Sequence, residues 1–318
     1  MARVADEIAL KGYRFPAFGG QVTVEASGPG AESLLREAAA RVTEVSEVLT
    51  RFDPTSELSR INADPRLDVE ASPLMIRFVE AATGASDMTG GLVDPTLLPE
   101  LERAGYSRSM ADGDAAGRTR DASTVEAERT GSSTDTPGER WKTLSVDPDR
   151  GTLSRGPGVR LDAGGIGKGL AADLVAGLME DSDVEAWSID CLGDVRIGGT
   201  AGEVRPVTIG SPVPGEDPIE VLDLRKAGVA TSGTTKRAWT NTDGTAGHHL
   251  IDPRTGLPAE SDLVQVTAIA PTAVEAEARA KAALLSGLAE TTRWLPHGGL
   301  AVDLEGRVHR LVPPADSL

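Results

Sequence analysis

Alternating apolar and polar residues over Val22–Ala26 (VTVEA) predict a half-buried strand, closed by the turn residues Gly28-Pro29-Gly30. From Ala31 to Leu49 the period changes. Leu34, Ala38, Val42, Val45 and Leu49 recur every three or four positions and form one apolar stripe, which predicts a helix. Asp53-Pro54 then forces a turn, and Ser56 is placed to cap a short helix. A second amphipathic stretch, Pro73–Thr83, leads into the glycine turn TGGLVDPT at Thr89–Thr96. Residues 108–140 lose periodicity and are rich in Ser, Thr, Asp and Gly, so a flexible surface insertion is expected there. Beyond it, VRLDAGGIGKGLAADLVAGLME reads as strand, glycine turn and helix, and VEAWSID, VRIGG, VRPVTIG and IEVLDL read as strands. GVATSGTTKRAWT reads as turn-rich, and LVQVTAIA as a strand entering the helix VEAEARAKAALLSG. Strands and helices are interspersed without a regular βαβ beat or a repeat. The expectation is an α+β fold over one domain, residues 1–318.

Composition narrows the function. Acidic residues number 49 against 32 basic ones, a formal net charge of −17 that opposes binding to nucleic-acid backbones or anionic lipid. Four Phe, four Trp and two Tyr are too few for a base-stacking platform. The single cysteine, Cys191, excludes an intrachain disulfide and a thiolate metal cluster, and reads as inert packing. The first residues hold no apolar run of signal-peptide length, and no stretch approaches the ~20 apolar residues of a membrane span. A soluble, cytoplasmic chain is expected.

Candidate chemistry lies in the glycine and histidine turns. DAGGIGKG, Asp162–Gly169, has Asp162 where a Walker loop needs Gly and Gly169 where it needs Ser or Thr. It also lacks the third glycine of a dinucleotide fingerprint. What remains is a glycine turn opening a helix, suited either to an anion beside a mobile Lys168 charge or to a purely structural turn. Asp94 before Pro95 is ordinary turn chemistry, and HHLIDPRTG offers a histidine as general base or as packing.

Taken in order, RFDPTSELSRIN, TGGLVDPT, RLDAGGIGKGLAADLV, IDCLGDVRIGG, GVATSGTTKRAW, HHLIDPRTGLP and VTAIAPTAVEAEARAKAALLSG resemble the FAD:protein FMN transferase (ApbE) family from about residue 15 to about residue 305. The resemblance implies two closely packed lobes with FAD in a cleft between them. It implies transfer of FMN from FAD to a threonine of an acceptor protein, with release of AMP and dependence on Mg²⁺. It gives Asn62, Leu92, Val93, Asp94, Lys168, Thr231, Ser232 and Gly233 to the cofactor, and His249, Asp252 and Lys168 to catalysis, His249 as base. The Gly165 carbonyl, Glu277 and Lys281 fall on the metal-ligand positions. Two departures stand out. The family's Met-Gly-Thr reads Phe18-Gly19-Gly20, and its Ala-Asp-Ala-x-x-Thr reads Ala276-Glu277-Ala278-Arg279-Ala280-Lys281. A charged lysine donates and never ligates a cation, so Lys281 stands in for the ion and Mg²⁺ is brought into doubt. The alternative is a flavin-binding protein without transfer activity, hydrolysing FAD slowly at most.

Overall fold

A computed structural model describes residues 10–107, 119–120, 138–200, 204–241 and 246–312. Its centre is an eight-stranded antiparallel sheet whose strands neighbour one another in chain order. They are β1 (Lys11–Ala17), β2 (Gly20–Ser27), β3 (Ala186–Cys191), β4 (Asp194–Gly198), β5 (Ala227–Gly233), β6 (Leu263–Ala270), β7 (Gly299–Asp303) and β8 (Val308–Leu311). The α+β expectation therefore holds, with the sheet wholly antiparallel and the excursions between strands carrying the helices.

Helix α1 (Ala31–Val48) buries Leu35, Ala38, Ala39, Val42 and Val45 against the sheet; Leu34 of the predicted stripe is only half-buried. Ser56 caps α2 (Glu57–Ala63), accepting from the Ser59 N–H at 3.0 Å. α3 (Pro73–Met88) runs a turn and a half past the predicted Thr83, because Ala82, Ala85 and Ser86 continue its buried face. α4 (Leu98–Arg103) follows the glycine turn. α5 (Gly167–Glu180) lies between α1 and α6 (Ala273–Ser286), and the three cover one face of the sheet. The opposite face is closed by a hairpin of Arg205–Ile209 and Glu220–Leu224, with Val207 and Ile209 packing on Ile197, Val229 and Leu300.

Three expectations change. GVATSG is a central strand, not a turn. Its burial on both faces overrides the weak strand propensity of Gly, Ser and Thr. Val159–Leu161 pairs with no strand. Most of the expected 108–140 insertion lies outside the described residues, but its last part belongs to the fold: Arg140 is buried, its guanidinium 2.6 Å from the equally buried Glu100.

Small residues set how closely α5 and α6 approach. The Asp173 carboxylate on α5 accepts from the Ala273 and Val274 N–H groups at 2.8 and 2.9 Å, capping α6 from its neighbour. A Cβ on Gly228 would lie 2.3 Å from the Thr272 carbonyl carbon and oxygen. Neither atom can move without shifting the start of α6. Gly228→Ala is therefore expected to lose about 1–3 kcal/mol of stability, the usual penalty of overpacking, measured as a lower urea midpoint at unchanged slope.

Candidate active site

Two cavities meet beside the central strands of the sheet and the start of α5. One is mainly apolar, walled by Phe18, Leu49, Leu92, Val93, Leu97 and Tyr106. The other is more polar, walled by Thr208, Thr231, Ser232, Gly233 and Gln265 together with Val195, Val207 and Val229. They share Gly164, Lys168, Arg237, His249 and Lys281, so three cations and one imidazole stand where they join.

The join is built on a buried ion cluster. Glu277, in the middle of α6, is 1% exposed. Its Oε2 accepts from the Gly169 N–H at 2.9 Å, in the first turn of α5. Its Oε1 accepts from Lys281 Nζ at 2.9 Å, with Lys168 Nζ 3.6 Å away. Lys168 also donates to Asp194, the first residue of β4 and likewise 1% exposed. Gly169 lacks a side chain for a steric reason: a Cβ would lie 2.8 Å from the Ala273 carbonyl. Burial disfavours every charge here, and mutual pairing decides the outcome. For Lys168 burial works downward, but Asp194 and Glu277 hold its pKa above the ordinary lysine value. Glu277 is held below the usual carboxylate range, burial being outweighed by Lys281 and Lys168. Asp194 is pushed up to about 6 by burial, with Lys168 opposing. Lys168 is thus clamped rather than mobile, and Glu277–Lys281 is an interior pair rather than a surface one.

Glu277 and Asp194 line neither cavity; a ligand entering either meets ammonium groups with the carboxylates behind them. Both Glu277 oxygens are already taken, and the described residues contain no group of three or more His, Cys, Asp or Glu able to hold a metal. The donor set does not fit Mg²⁺, which requires oxygen ligands in octahedral array. The residues present therefore do not fit the magnesium expected from resemblance, with Glu277 held by the Gly169 N–H and Lys281 rather than open to a metal.

The glycine turn Thr89–Thr96 is tied to α3 by the Thr89 hydroxyl, which accepts from the Val93 N–H at 3.0 Å. This sets Leu92, Val93 and Asp94 in the apolar cavity wall. Asp94 Oδ1 accepts from the Thr96 N–H and hydroxyl at 2.8 and 2.6 Å, while Oδ2 is buried without a partner, and burial pushes this carboxyl up. Gly165 joins the same wall beside Val93, and Thr231 meets Thr267, hydroxyl to hydroxyl, at 2.9 Å in the polar cavity.

His249 packs edge-on to Tyr106, ring centroids 6.5 Å apart, with Nδ1 buried and unpartnered. Burial first, then the charges of Arg237 and Lys281, hold its pKa well below the ordinary histidine value. It is neutral at pH 7. Its neighbour His248 is occupied by backbone, Nε2 at 3.0 Å from the Ala259 carbonyl and Nδ1 accepting from the Leu250 N–H at 3.3 Å.

Two predicted residues are elsewhere. Asp252 accepts from the Arg254 N–H at 2.8 Å and from its guanidinium, which also reaches the Leu285 carbonyl; this is an Asx turn, and Asp252 does not orient His249. Asn62 donates to the Leu161 carbonyl at 2.8 Å and accepts from the Leu161 N–H at 2.7 Å. It lines neither cavity and instead supplies the partner that Val159–Leu161 lacks in a sheet.

Sequence reasoning missed Arg51, Tyr106 and Arg237. Arg51 is fixed by Asp162 at 2.8 Å and by the Tyr106 carbonyl at 2.6 Å, with its guanidinium 4.3 Å from the Phe52 ring centre. Tyr106 in turn stacks on Trp239 at 5.7 Å. Phe18, Phe52 and Tyr106 thus come from separate parts of the chain to one cavity wall, a grouping that only the tertiary structure reveals.

The helix-backed antiparallel sheet thus carries a cleft that is apolar on one side, more polar on the other and cationic between, a form suited to an elongated anionic ligand. The chain belongs to the ApbE family, whose sequence profile matches residues 18–303. It is similar to the FAD:protein FMN transferase of Escherichia coli K12, 36% identical over 149 residues, or 46% of this chain and 42% of that protein. The chain thus spans about two fifths of that relative's length. It is also similar to an FAD:protein FMN transferase of Klebsiella pneumoniae strain 342, 28% identical over 278 residues, or 86% of this chain and 76% of that protein. The solved ApbE protein of Thermotoga maritima shares the fold, with TM-score 0.77 and 24% identity over 95% of this chain and 97% of that one. No helix among the described residues is long and apolar enough to cross a membrane.

If Asn62 serves the backbone, Asn62→Ala leaves the Leu161 N–H and carbonyl unsatisfied. The expected loss is about 1–3 kcal/mol, read as a lower thermal midpoint.

Proposed function

We propose that this chain transfers the FMN moiety of FAD to a threonine hydroxyl of an acceptor protein, releasing AMP. The observation that carries the reading is the shared cationic join between an apolar and a polar cavity. FAD has the matching form: a flat apolar ring system and an adenosine half linked by an anionic diphosphate. The ring fits the cavity of Leu92, Val93 and Tyr106, and the adenosine half fits that of Thr231, Ser232 and Gly233. The diphosphate then lies against Lys168, Lys281 and Arg237. The names of the Escherichia coli and Klebsiella relatives support the same donor and the same transfer.

The chemistry follows from these positions. The threonine oxygen attacks the FMN-side phosphorus, and the bond from that phosphorus to the bridging oxygen breaks. AMP departs with the electron pair, and the new phosphoester links FMN to threonine. The cations neutralise charge that builds on the departing phosphate. His249, neutral because its site disfavours imidazolium, takes the threonine proton.

The test is incubation with FAD and a threonine-bearing acceptor, followed by intact-mass analysis for an FMN adduct. AMP release without an adduct would point to FAD hydrolysis instead. His249→Ala is expected to lower transfer by roughly 10²–10⁴-fold while FAD affinity stays within a few-fold. Because a base works deprotonated and this pKa is depressed, the acid limb of kcat/KM should fall below the ordinary histidine value of 6.5. A limb at or above that value removes His249 from the role.

A further inference from the structure

We infer that this protein carries its own cation for the diphosphate, the Lys281 ammonium, and binds FAD without a divalent metal. This deepens the reading of the cleft as an FAD site and rests on it.

The argument starts from helix α6. Glu277 and Lys281 are four residues apart on it, so the ammonium is held beside the carboxylate by the backbone and cannot drift away. Lys281 is 11% exposed at its side chain, and that exposed part faces both cavities. The acid it pairs with faces neither. A metal ion entering at the join would therefore approach an ammonium before it reached Glu277 or Asp194. To bind Glu277 it would have to displace either Lys281 or the Gly169 N–H.

Charge leads to the same conclusion. Lys168, Lys281 and Arg237 bring three positive charges to the join, while Asp194 and Glu277 bring two negative ones behind it. The surplus is positive and faces the cleft. Arg237 is in neither ion pair of the cluster; its guanidinium adds a planar fork of N–H donors suited to phosphate oxygens. The lysines add point charges at the same join. A diphosphate at the join is thus met by the ammonium groups of Lys168 and Lys281 and the guanidinium of Arg237. Glu277 acts as a positioning residue, keeping Lys281 extended toward the cleft and Lys168 between its two acids.

The experiment is calorimetric titration of the intact protein with FAD, once in EDTA and once in millimolar Mg²⁺. The parent is expected to bind with Kd unchanged to within about threefold between the two. Lys281→Thr, which removes the ammonium and frees a Glu277 oxygen, should bind at least tenfold more weakly in EDTA and regain affinity with Mg²⁺. Lys281→Arg keeps the charge and should bind in EDTA like the parent; circular dichroism verifies that both variants fold. Parent binding that is lost in EDTA and restored by Mg²⁺ overturns the inference and leaves the FAD reading intact. Absence of FAD binding in both buffers overturns the FAD reading and the inference with it. The parent measurements decide whether FAD binding needs a metal even if a variant fails to fold, and Lys281→Thr binding in EDTA as tightly as the parent overturns the role of Lys281.

Discussion

The Glu277 carboxylate is the point on which the cleft depends. One oxygen holds the first turn of α5 through the Gly169 N–H, and the other holds Lys281 on its own helix. Lys168 links the same acid to Asp194 and so to the start of β4. Two helices and a strand are thus fixed to one another by charge inside a low-dielectric interior, where an unpaired member would be strongly destabilising. Such a cluster is rigid because no member can leave without exposing another. Its cationic side faces the cleft, and its anionic side is enclosed by protein.

Much of this was legible wherever the signal is local. The 3.6-residue stripe of α1, the Ser56 cap and the helix of residues 273–286 follow from spacing alone. The glycine turn before α5, Leu92-Val93-Asp94, Lys168, His249 and Lys281 were found through short motifs in a fixed order, and they do meet at the cleft. What was not legible depends on packing. GVATSG looks like a turn because its residues are small, yet they are small because Thr272 and α6 ride directly over Gly228. Asn62 and Asp252 have the polarity of ligand contacts but are engaged by backbone and by Arg254. Arg51, Tyr106 and Arg237 come from separate excursions, and no spacing along the chain relates them.

The order of the sheet has a kinetic consequence. Every strand pairs with its neighbour in sequence, but Ala26 of β2 meets Trp187 of β3 across about 160 residues. All later pairings close shorter loops. Loop-closure entropy and contact order therefore favour early assembly of β3 to β8, with the β1–β2 hairpin docking last. The polar half of the cleft draws chiefly on the early strands. The apolar half needs Phe18 and Gly19 from the late hairpin, together with the loops of the long excursion. A partly unfolded chain would accordingly possess the polar half before the apolar half was complete, so that the whole cleft exists only after the final strand pairing.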